Sequence, residues 1–217
     1  MPSRPGYLRT PLSTGRTPAE QADAMAALLD VLGVGRTFVY GISDGGPSAL
    51  QFAARHGERC RGLILVSAVS QRIVMEDLPG WVRALDRAMK GEVGAWILAR
   101  LTPSVLAAEA RGDTAALAEM KAYMESLTPY EPRAAGQDND LFQDRESTSW
   151  PLREIKCPTL VIHGTADWIV PPLHGDSAAT IPGAKLIRVN GAGHLAFIAH
   201  RPLVDSAIAA FQSEHRD

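Results

Sequence analysis

Apolar residues in this chain follow two rhythms. In "TPAEQADAMAALLDVLGVG", Met25, Leu28, Leu29 and Leu32 recur on one face at a helical period, which predicts an amphipathic helix. Its start is explicit: Thr17 as N-cap, Pro18 at the first helical position, Glu20 completing a capping box, and Gly33 or Gly35 as the stop. The second rhythm is one of short continuous apolar runs: "TFVYGI" (37–42), "LILVSA" (63–68), "TLVIHG" (159–164) and the strand candidate "KLIRVN" (185–190). A helix from about Gly45 to His56 separates the first two, and a closing helix around 202–213 follows the last. Short apolar runs alternating with helices predict an α/β fold: a mainly parallel sheet, about four strands of it recognisable, flanked by helices.

Residues 70–150 break this alternation. The amphipathic segments "WVRALDRAM", "VGAWILARL" and "TAALAEMKAYMESL" predict helices, whereas "TPYEPRAAGQDNDLFQDRESTSW" is polar and proline-containing and reads as a returning loop. The expected organisation is a core of residues 1–69 and 151–217, with 70–150 inserted as a helical cap or lid. Residues 1 to about 16, rich in Pro, Gly, Ser and Arg, read as a loop.

Composition narrows the function classes. The chain has 217 residues, 46% of them hydrophobic, enough for one globular domain with a sizeable core. A formal charge of −2, with 22 basic residues scattered along the chain, gives no electrostatic footprint for nucleic acid or a membrane surface and points to a small-molecule substrate. Cys60 and Cys157 each open an apolar run and read as buried thiols, without metal-ligand spacing. With no apolar leader and no run of membrane-spanning length, the expectation is a reduced cytoplasmic protein.

The candidate chemistry starts from "FVYGISDGGPSAL", which puts Ser43 between two glycines at the end of an apolar run. A hydroxyl is a poor nucleophile near neutral pH and needs a base, itself held by a third group. "HGTADWIVPP" places Asp167 just beyond one predicted strand, and "VNGAGHLAF" places His194 just beyond the next. In a parallel sheet these loops share the carboxyl edge, so the three side chains can converge. Other readings stay open. Ser43 could be a turn serine and Asp167 a turn or cap residue. His163 suits a structural hydrogen bond at a strand end, and His56, His174, His200 and His215 read as surface residues. Met89, Trp96, Met120 and Met124 could line a pocket, although their helical spacing favours plain packing. No histidine pair suggests a metal, and "GISDGG" is not a phosphate loop.

Taken together, "GISDGG", "HGTADWIVP" and "GAGH" resemble, in order, the motifs of the α/β-hydrolase superfamily. The resemblance implies Ser43 as nucleophile, His194 as general base and then acid, Asp167 as the orienting acid, and the backbone N–H of Asp44 as half of an oxyanion hole, with no cofactor. It also implies that the elbow needs side-chain-free positions at Gly41 and Gly45, and a serine there argues against the dehalogenase and epoxide hydrolase branches. The implied activity is hydrolysis of a small ester or related acyl substrate. The front of the chain departs from the family: relatives carry strands ahead of the loop resembling "PSRPGY", and a second oxyanion donor with them. This suggests a shortened hydrolase needing a homo-oligomer or partner over the 37–42 strand edge. The alternatives are a catalytically inactive remnant serving as a binding or scaffold subunit, and a haloperoxidase-like or carbon–carbon bond hydrolase with the same three residues.

Overall fold

The structure is a computed structural model that describes residues 3–73, 90–97, 113–146 and 150–216, with single positions at 80, 81, 84, 88 and 100. Helix α1 (Pro18–Val31) starts as its sequence dictates, with Thr17 and Glu20 exchanging both capping-box hydrogen bonds. Strand β1 (Thr37–Ile42) runs through a single turn of 3-10 helix at 43–45 into α2 (Gly46–Arg55). Strand β2 (Cys60–Val66) follows. Helices α3 (Thr114–Ser126) and α4 (Glu131–Glu146) lie in sequence between β2 and β3 (Thr159–Gly164). Short helix α5 (Leu173–Ala178), strand β4 (Lys185–Val189), the single turn α6 (Ala196–Ala199) and α7 (Arg201–Glu214) complete the chain.

The four strands pair in parallel in chain order, β1 to β4, with register partners such as Val39 and Leu63, Leu65 and Val161, and Ile162 and Ile187. Alternation along the central strands separates two cores. Leu63, Leu65 and Val161 point into a cluster with Ala22 and Ala26 of α1 and Leu50 and Phe52 of α2. Ile64, Val66, Leu160 and Ile162 point the other way, onto Ala196, Val204 and Phe211. Both faces are therefore dry, which explains why the β2 and β3 runs are continuously apolar. β1 ends the sheet, and Tyr40 and Ile42 stay about 39% and 36% exposed at its edge. A groove of about 410 Å³ opens there between Tyr40, Ile42 and the α7 residues Val204 and Ile208, and it contains none of Ser43, Asp167 and His194.

Three expectations are corrected. Residues 131–146 form α4, not a loop; its buried side is Gly136, Asp140 and Gln143, so no apolar period announces it. α1 buries Gln21, Ala22 and Ala26, with Met25 and Leu29 at the margin and Leu32 62% exposed. The contact rotates toward small residues because α2 lies close, where Ser48 donates to the Gln21 amide oxygen at 2.6 Å. His174 is 2% exposed and belongs to the interior. The expected buried thiols are both there: Cys60 and Cys157, far apart in sequence, face one another, and the neighbouring thiol together with burial pushes Cys60 up. Met89 lies outside the described residues, as does much of "WVRALDRAM". Among the described residues no helix is long and apolar enough to cross a membrane.

Candidate active site

The carboxyl ends of β1, β3 and β4 bring the expected residues together. Ser43 follows β1 directly and adopts φ 51°, the left-handed region that costs a residue with a β-carbon of order 1–2 kcal/mol. The Val69 N–H donates to the Ser43 carbonyl at 3.0 Å, tying the turn to the end of β2. The elbow's tight glycines are Gly41 and Gly46. A β-carbon at Gly41 would stand 2.9 Å from Ala49 Cβ and Leu65 Cδ2, and one at Gly46 only 2.0 Å from the Val69 carbonyl oxygen. At Gly45, expected to be tight, a β-carbon meets nothing within 4 Å, because the turn carries this position outward before the helix closes on β2.

His194, in the loop after β4, spans the other two residues. Its Nε2 lies 3.0 Å from Ser43 Oγ and its Nδ1 3.0 Å from Asp167 Oδ2. Asp167 divides its labour: Oδ1 accepts the N–H groups of Ile169 at 3.0 Å and Val170 at 2.9 Å, which leaves Oδ2 for the imidazole. The turn role and the orienting position thus belong to one side chain, by different oxygens. Its carboxylate is fully buried, whereas the His194 side chain is 11% exposed. Asp44 sits in the first turn after the elbow, where backbone N–H groups lack partners within the helix and can serve an anion. In chemical terms, a hydroxyl abuts an imidazole whose far nitrogen faces a buried carboxylate.

His163 holds the loop that carries Asp167, in the structural role its position suggests. Its Nε2 donates to the Val170 carbonyl at 2.9 Å and lies 3.5 Å from Asp167 Oδ2, while Nδ1 is buried without a hydrogen-bond partner among the described residues. Burial lowers its pKa, as it does that of His174, which is pulled down to about 4 and accepts the Ser70 N–H at 3.2 Å on Nδ1. Both rings are neutral near pH 7. Between pH 6.5 and about 4, the unfolded chain protonates position 174 and the folded chain does not, so stability falls as pH drops through that window. The loss for His174 is about 3 kcal/mol across it. Urea midpoints measured from pH 7 to 4 should show this decline, and His174→Asn should make it shallower; an equal slope in the variant would remove the assignment.

Packing over the histidine loop comes from α3. Met120 and Met124 are buried against Leu195 and Ile198, so packing explains them. Tyr123 meets Phe197 edge-to-face at 5.5 Å; burial raises its pKa, with the Asp44 carboxylate contributing. Trp96 is 52% exposed, with the Arg100 guanidinium 4.0 Å above its ring. The sequence reading missed Arg4, Tyr7 and Asp140, which meet beside the elbow. Among the described residues no His, Cys, Asp and Glu cluster could hold a metal.

Known proteins share this arrangement of chain. Residues 1–200 match the sequence profile of the alpha/beta hydrolase fold. The uncharacterized hydrolase YcgS of Bacillus subtilis is 29% identical over 221 residues, covering 91% of this chain and 75% of that one. Among solved structures, an alpha/beta hydrolase fold protein from Nakamurella multipartita superimposes with a TM-score of 0.82 at 34% identity, covering 98% of this chain and 81% of that one. A thermophilic esterase from Thermogutta terrifontis gives a TM-score of 0.70 at 27% identity, covering 92% and 73%.

Proposed function

The chain belongs to the alpha/beta hydrolase fold family, and from that premise we propose that it is a serine hydrolase acting on a small ester or related acyl substrate. The observation that carries this reading is the continuous path from Ser43 Oγ through His194 to Asp167, with both contacts at 3.0 Å. His194 Nε2 takes the hydroxyl proton as Oγ attacks the acyl carbon, and the Asp44 N–H receives the developing oxyanion. Asp167 Oδ2 keeps the proton on Nδ1 and stabilises the imidazolium. The imidazolium then protonates the leaving alkoxide, and the collapse leaves an acyl group on Ser43. Water enters in its place, His194 accepts its proton, and a second tetrahedral intermediate releases the acid and restores the hydroxyl. An ester is favoured over other acyl compounds by the likeness to the Thermogutta terrifontis esterase, and the exposed margin of His194 gives a small substrate access.

The test is the intact mass of the folded chain after incubation with a fluorophosphonate, beside hydrolysis of p-nitrophenyl esters of increasing acyl length. The expected result is one phosphonyl adduct on the Ser43 peptide and turnover that depends on acyl length. A folded chain giving neither adduct nor turnover overturns the reading and leaves a binding role.

A further inference from the structure

The front loop reaches the elbow through one side chain. Arg4 Nη1 donates to the carbonyl of Asp44 at 2.6 Å, forty residues along the chain, and Nη2 pairs with the carboxylate of Asp140 on α4. Tyr7 supports this guanidinium twice, presenting its ring 5.2 Å from the Arg4 Cζ and donating its hydroxyl to Asp140 Oδ2 at 2.6 Å. Asp140 is 3% exposed, so its charge depends on these donors. The loop is seated on α4 by direct backbone contact: Gly136 N–H donates to the Gly6 carbonyl at 3.0 Å, and Leu8 N–H to the Pro132 carbonyl at 2.6 Å. A β-carbon at Gly136 would stand 2.2 Å from the Tyr7 ring, so only glycine allows this approach.

We propose that Arg4 is a positioning residue for the Ser43 elbow, and that Asp140 and Tyr7 hold its guanidinium on the Asp44 carbonyl. This rests on the proposed role of Ser43 as nucleophile. A serine at φ 51° stays there only if its surroundings over-determine it. Two successive carbonyls are gripped by distant parts of the chain: that of Ser43 by the Val69 N–H and that of Asp44 by Arg4. The first grip holds the peptide unit that carries the Asp44 N–H and the second holds the unit after it, so Arg4 fixes the far side of the residue whose N–H would meet the oxyanion; a small displacement of reacting groups costs up to about 100-fold in rate. It also makes α4 part of the support of the elbow, because the Asp140 carboxylate sets where the guanidinium points.

The experiment compares wild type, Arg4→Gln, Arg4→Lys, Asp140→Asn, Tyr7→Phe and the double variant Arg4→Gln with Asp140→Asn for the second-order rate of phosphonylation, and for kcat and KM on an ester, below every variant's melting transition. Arg4→Gln is expected to lower the phosphonylation rate and kcat together by about 10- to 100-fold, with KM nearly unchanged. Arg4→Lys keeps the charge but replaces the planar two-nitrogen fork by a single nitrogen on a flexible stem, so it should recover melting temperature more than rate. Tyr7→Phe should slow phosphonylation several-fold, and Asp140→Asn should add little in the Arg4→Gln background, since both act through one network. If Arg4→Gln does not fold, Tyr7→Phe and Asp140→Asn decide. Variants that melt earlier yet react at the wild-type rate overturn the positioning role while leaving Ser43 as nucleophile. A wild-type chain that does not react overturns the nucleophile, and this inference with it.

Discussion

Asp167→Asn is expected to lower kcat on a small ester by about 10⁴-fold while leaving the fold and KM close to wild type. The size of the effect follows from which oxygen does what. Asp167 Oδ1 accepts two backbone N–H groups, from Ile169 and Val170, and an amide oxygen can replace it there. The amide nitrogen must then take the place of Oδ2, 3.0 Å from His194 Nδ1. That nitrogen only donates, so Nδ1 becomes an acceptor and the imidazole proton moves to Nε2, where it points at Ser43 Oγ. The proposed base is thereby turned into a donor without disturbing the loop. Steady-state kinetics on a p-nitrophenyl ester, with circular dichroism as the fold control, measures this. A loss smaller than about tenfold would mean that Asp167 serves the loop turn alone.

Gly46→Ala is expected to remove at least about 3 kcal/mol of stability and lower the melting temperature by roughly 10 °C, whereas Gly45→Ala should change stability by less than about 1 kcal/mol. The added carbon at 46 would lie 2.0 Å from the Val69 carbonyl oxygen and 2.9 Å from its nitrogen. These are backbone atoms and cannot rotate aside. Val69 also donates to the Ser43 carbonyl, so relaxing the clash pulls on the elbow, and phosphonylation should slow in whatever fraction stays folded. At Gly45 the space is open and the backbone is already right-handed, at φ −77° and ψ −12°, which alanine adopts readily. Thermal melts of the two variants decide the matter, and a larger loss at 45 than at 46 would contradict this packing.

The adjacent glycines show where a sequence stops being informative. "GISDGG" announces a tight strand-to-helix turn, but whether Gly45 or Gly46 meets Val69, just beyond β2, depends on the turn of 3-10 helix that rotates the entry to α2. α4 shows the same limit at the level of a whole element. Its inward positions are Gly136, Asp140 and Gln143, so hydrophobic periodicity cannot find it, and distant segments packed against them, the front loop among them, make that side interior. His174 lies in a stretch that reads as surface, yet Ser70 closes over it from a position 104 residues away.

What the sequence determined by itself was everything governed by neighbours along the chain. The capping box at Thr17, the continuous apolar runs of β2 and β3, and the three motifs carrying Ser43, Asp167 and His194 all rest on local chemistry and on a strand period that burial enforces. The tertiary structure alone decided contacts between residues whose local sequence gives no hint of one another: Arg4 on the Asp44 carbonyl, Asp140 against both Arg4 and Tyr7, and Ser70 on His174. The reason is physical. An apolar side chain advertises its burial by type, whereas a buried polar one is interior only because a distant partner offsets its desolvation, and that partner's position exists only once the chain has folded.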